Sequence, residues 1–199
     1  MLVRMLPRLG SSKLVSAWIT VTLVASIFAT VDGGWLAGWL AFAPSRIWHG
    51  ELWRLATWVL VEGGPLSLIL TCASIYKFGG ELAHRWGDRR LRRFMVEVIG
   101  GAALVTTLLA LVSDDAWHLY RIGGWAVRDA LAIAWARQYP ERPLLIYGLL
   151  ELRGRTLIAV IIGITSVFAL FVGPLVMTPE LLVCAAAYWY PSARLARGG

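Results

Sequence analysis

The 199-residue chain is 58% hydrophobic and only 16% charged, whereas a soluble domain carries roughly a quarter charged residues. Several apolar runs reach the roughly 20 residues needed to cross a bilayer, which excludes a soluble globular domain and predicts an all-α polytopic membrane protein. The net charge of +7 is not a nucleic-acid signature, because the basic residues cluster between hydrophobic runs and form no continuous stripe.

Residues 1–13 form a basic tail with Arg4, Arg8 and Lys13. A first span is predicted over 14–31, ending at Asp32-Gly33-Gly34; no small-residue cleavage site follows it, so it reads as an uncleaved helix. Residues 35–62 form a long loop, too apolar for a solvated linker, whose Trp35, Trp39, Trp48, Trp53 and Trp58 fit an interfacial belt. The second span, 64–84, is entered through Gly63-Gly64-Pro65, where a proline's missing N–H costs little. The stretch HRWGDRRLRRF follows, with Arg85, Arg89, Arg90, Arg92 and Arg93, and its expected contacts are anionic lipid headgroups.

A third span is expected over 93–112, with Gly100-Gly101 permitting close helix approach. A short acidic loop, 113–121, precedes a fourth span over 122–139. A basic loop over 140–156 leads to a fifth span, 156–173, and a sixth, 178–190, which ends in a tail with Arg194 and Arg197. Fourteen of the 19 basic residues then fall on one side, which the positive-inside rule makes cytoplasmic, both termini included. Arg outnumbers Lys 17 to 2 and Ala is abundant, a composition expected of a GC-rich bacterial genome and hence of a bacterial inner membrane. No internal repeat or linker divides the chain, so residues 1–199 read as one domain.

Gly50, Trp53, Arg54 and Thr57 stand in the first loop, and Phe78, Gly79, Glu81 and Gly87 close the second span. In this order and spacing they resemble the rhomboid-like superfamily, which includes intramembrane serine proteases and their inactive relatives. The resemblance covers about residues 45–190 and is strongest over 50–93. It implies a six-helix bundle with a membrane-embedded first external loop. A rhomboid protease carries its serine in a G-x-S-G motif on the fourth span, a His base on the sixth, and a His and an Asn on the second that hold the oxyanion. Here Gly123-Gly124-Trp125-Ala126 stands at the serine motif, Ser67 and Thr71 replace the His and Asn, and Glu180 falls near the base. No His follows His118, so no catalytic residue is assigned. The Trp125 indole is expected to fill the space that a substrate would need.

Other chemistry is sparse. His49, His84 and His118 fall on different sides of the membrane, so no metal site is expected. Ser113, Asp115 and His118 read as polar turn residues, as does Glu51 beside His49. Cys72 and Cys184 read as buried free thiols, and no cofactor is implied.

Arg128 and Asp129 lie within the fourth span, where a charge costs about 2.5–3.5 kcal/mol and usually faces a partner. Arg128 is expected to pair with Glu180 or Asp129 and occupy the vacated site, either as a packing bridge or as an anion or partner site. The resemblance implies a non-catalytic pseudoprotease that binds other integral membrane proteins, as derlins and inactive rhomboids do in quality control and trafficking. The alternative is a structural accessory subunit of a larger bacterial membrane complex. A small transporter lacks support, with no gapped helix pair or selectivity ring, and a lipid-acting enzyme has no constellation to carry it.

Overall fold

Helix α1 (Lys13–Val31) begins where Ser12 Oγ accepts from the Val15 N–H at 3.1 Å. This computed structural model describes residues 12–146 and 150–190; Arg4, Arg8, Arg194 and Arg197 of the expected basic tails lie outside them. The first loop folds into short helices α2 (Trp35–Leu40), α3 (Pro44–Trp48) and α4 (Arg54–Thr57), followed by a 3-10 turn over Trp58–Leu60. Helix α5 (Pro65–Trp86) starts on its proline and contains a π turn at Ile75–Gly79.

Gly87, at φ +81°, breaks the chain in a conformation that a Cβ would strain, and α6 (88–109) restarts at once, with a π turn at Val96–Gly100. The basic stretch is therefore the first turns of a helix rather than a loop, and the third span begins about five residues earlier than predicted. Asp88 makes this possible: its Oδ1 and Oδ2 accept from Ser12 Oγ at 2.7 Å and the Leu14 N–H at 3.2 Å, joining the starts of α1 and α6.

The acidic loop holds one short helix, α7 (Asp114–Trp117), capped by Ser113. Beyond it lie α8 (Trp125–Gln138), α9 (Gly154–Val172) and α10 (Thr178–Trp189). Between α8 and α9 the strands β1 (Pro143–Ile146) and β2 (Leu150–Arg153) pair antiparallel, Pro143 opposite Arg153. The all-α expectation is corrected here: the strands β1 and β2 satisfy their backbone by pairing with each other rather than within a helix.

Six helices lie close to the six predicted positions, but they are not equally long. Among the described residues, only α1 and α9 are long and apolar enough to cross a membrane, or three spans if Arg54–Leu60 and Pro65–Trp86, bent by 104°, count as one. At 14 and 12 residues, α8 and α10 rise about 21 and 18 Å, short of a hydrocarbon core of about 30 Å. Helix α6 has the length but carries Arg92, Arg93 and Glu97 besides its first-turn charges.

Helix α8 is the axis of the fold. Ten of its 14 residues are buried, five of them alanines, as expected of a helix packed on all sides. Its neighbours α5, α9 and α10 wrap it. Gly79 of α5 lies where a Cβ would touch both Val15 of α1 and Leu131 of α8 at 3.7 Å. Two residues on, Glu81 accepts from the buried Trp135 indole and from Arg142, both at 2.8 Å, and pairs with Lys77 at 2.7 Å. Phe78 packs its ring 5.5 Å from that of Trp135.

Arg54 organises the first loop. Only 1% exposed, it donates to the carbonyls of Gly38 and Ala41 at 2.8 and 2.7 Å and to Glu51 at 2.5 Å. The hydrogen bond from Arg54 holds the Glu51 carboxyl below its ordinary range. Trp53 Nε1 reaches the Trp39 carbonyl and Thr57 Oγ1 the Leu40 carbonyl, while Gly50 turns at φ +99°. The four motif residues thus stitch one loop to itself. Substituting Arg54→Met takes the donor from two carbonyls and leaves Glu51 with only the exposed Arg46 at 3.5 Å, and should cost about 2–3 kcal/mol in unfolding measured in micelles. Arg93→Gln, which loses an exposed pair with Glu97, should stay within about 0.5 kcal/mol.

Candidate functional site

Three positions of the expected site, Ser67, Thr71 and Gly124, gather around one side chain that the sequence did not single out. Glu62, 5% exposed, ends the first loop. Its Oε1 accepts from the Gly124 N–H at 2.8 Å and its Oε2 from Ser67 Oγ at 2.5 Å. Its own N–H donates to Ser26 Oγ of α1 at 3.0 Å. One residue therefore binds α1, the first turn of α5 and the head of α8. Thr71, fully buried, closes the same space: a Cβ at Gly124 would stand 2.6 Å from its Cγ2 and 2.5 Å from Glu62 Oε1. Gly124 is required here by proximity.

Trp125 does not fill this space. It is 37% exposed, its ring set edge-on to Phe168 of α9 at 5.7 Å. Helical rotation explains the difference: Gly124 faces Ser67 and Thr71, and the next residue, about 100° further round, faces the outer flank. The expectation that the indole plugs the site is corrected; the Glu62 carboxyl does so.

The expected pairing of Arg128 is also overturned. Glu180, 2% exposed, takes Arg121, which reaches in from the segment before α8. Arg121 is fixed there by paired backbone hydrogen bonds with Phe42, at 2.8 and 3.0 Å. Asp129 turns instead towards α9 and α10, where Thr165 Oγ1 lies at 3.4 Å and Cys184 Sγ at 4.0 Å. Arg128 makes no ion pair within 4.0 Å among the described residues, and its guanidinium lies 4.5 Å from the centre of the Trp125 ring, a cation–π contact. Neighbouring residues on a helix face different ways, so adjacency in sequence does not make Arg128 and Asp129 partners.

The histidines stand apart. His49 Nδ1 contacts the Ser45 carbonyl at 2.6 Å, His84 is exposed at the end of α5, and His118 ends α7. No hydroxyl or thiol of a described Ser, Thr or Cys is hydrogen-bonded to a histidine ring. Cys72 and Cys184 are free thiols, Cys72 half-buried and Cys184 buried. The arrangement offers an N–H and a hydroxyl near the head of α8, and Glu62 occupies both. An oxyanion needs such donors free and aimed at it.

Comparison with known proteins places this geometry in context. A family described as eukaryotic integral membrane protein (DUF1751) matches residues 13–190. No curated protein matches the chain. The match corrects the bacterial inner membrane inferred from arginine and alanine usage: the family is eukaryotic, and a residue bias reports nucleotide composition rather than a membrane. The integral-membrane reading stands.

Two substitutions test the polar interior. Gly124→Ala drives a methyl into Glu62 and Thr71 and should cost about 1–3 kcal/mol in micelle unfolding, whereas Gly163→Ala, where a Cβ meets nothing within 4 Å, should not destabilise. Arg121→Met strands the Glu180 carboxylate and should cost about 3–5 kcal/mol, most of it recovered in Arg121→Met/Glu180→Met.

Proposed function

Because the chain belongs to this family of eukaryotic integral membrane proteins, we propose that it is a non-catalytic, rhomboid-like protein that binds the transmembrane segments of other membrane proteins. The observation that carries the reading is the Glu62 clamp, which consumes the Gly124 N–H and the Ser67 hydroxyl at the place where a protease would hold its oxyanion. The loop motif supports the rhomboid-like part, since Gly50, Trp53, Arg54 and Thr57 act together in one turn of chain. Six membrane-associated helices with both termini cytoplasmic belong to the same reading, with α8 and α10 as short central elements.

The outward face of α9 supports a binding role. Leu170 and Phe171 are more than four-fifths exposed, and Ala159 and Gly163, four residues apart, are exposed on the same helix. Small residues let helix backbones approach closely in lipid, where packing replaces the hydrophobic effect as the driving force.

Quantitative mass spectrometry of material purified in mild detergent from native membranes should recover many membrane proteins, each well below one per chain. Gly163→Ile should reduce that recovery several-fold without lowering expression. A fixed partner set at constant ratio, unaffected by Gly163→Ile, would instead make the chain a structural subunit of one complex.

A further inference from the structure

We propose that the groove between α1 and α6 is a site for one anionic phospholipid of the bilayer. The cavity holds about 320 Å³ and is walled by Trp18 and Val21 of α1, Leu60 of the first loop, and Met95 and Gly100 of α6. Arg92 is the single charged residue that lines it. Since α1 is long and apolar enough to cross a membrane, the groove opens towards hydrocarbon. From Arg92 to Gly100 the α6 wall rises about 12 Å, and Val59 joins Leu60 in lining the cavity from the first loop. An apolar cavity of this kind stays dry and takes an apolar guest, and in a bilayer that guest is an acyl chain.

The mouth has the opposite chemistry. Asp88, the acid at this end, is spent on Ser12 Oγ and the Leu14 N–H. Arg89 and Arg92, one turn apart on α6, are exposed, as is Lys13 beside Leu14. None of the three makes an ion pair within 4.0 Å among the described residues, whereas neighbouring Arg93 is held by Glu97 at 3.0 Å. Cations at one end of a chain-shaped apolar slot match an amphiphile with an anionic head. An arginine can grip a phosphate through two parallel N–H donors. The proposal rests on this geometry and on family membership, and is independent of the partner-binding role.

The test is native mass spectrometry of the purified full chain with phosphatidylserine or phosphatidylcholine of identical acyl chains. Wild type should retain one phosphatidylserine in preference to phosphatidylcholine. Arg92→Gln should weaken phosphatidylserine retention about five-fold, as expected for one basic residue at an anionic surface, and leave phosphatidylcholine unchanged. Gly100→Leu fills the slot from a position where a Cβ meets nothing within 4 Å, and should abolish retention of both. Arg93→Gln should change nothing. Equal retention of the two lipids by wild type, or retention undiminished in Arg92→Gln or Gly100→Leu, would overturn the proposal.

Discussion

The fold depends on how a carboxyl group buried among apolar helices is satisfied. Glu62 enters the interior with no cation within 4.0 Å among the described residues, and its oxygens are answered by an amide and a hydroxyl. Leaving such a group unpaired costs several kcal/mol in a low-dielectric interior, so its partners must hold their positions. That requirement aligns the head of α8 with the first turn of α5, and the Glu62 N–H ties both to α1 through Ser26. The same contacts remove the donors that acyl-transfer chemistry would need.

Other buried charges also find partners close at hand. Arg54 satisfies carbonyls of its own loop, Glu81 collects an indole and two cations at the base of the core, and Arg121 neutralises Glu180. Arg128 stands out, resting on an exposed tryptophan rather than on an acid. The apolar surfaces that remain open lie on the flanks: the α9 face and the α1–α6 groove.

Much of this was legible in the sequence. The helices follow from apolar runs and their glycine and proline breaks, and the Trp-Arg spacing marked a loop that Arg54 does hold together. The hairpin at 143–153 was missed because a basic loop between two spans has no period to read. Glu62 was missed because it sits at the end of an apolar stretch, VLVE, next to two glycines, where an acid reads as an interfacial turn. The one available signal was its isolation: no other acid falls between Glu51 and Glu81. The Arg128 pairing failed for a geometric reason. Arg121 lies before α8 in an extended segment beside Phe42, and helical spacing cannot describe a residue outside the helix.

The central claim, that Glu62 closes the site and leaves the chain a binder rather than a protease, is tested most directly by labelling with a fluorophosphonate probe in proteoliposomes. The account predicts no labelling of wild type or of Glu62→Gln, since no histidine activates Ser67 in either. Labelling of wild type that disappears in Ser67→Ala would contradict it, and would make the Glu62–Ser67 contact a catalytic one.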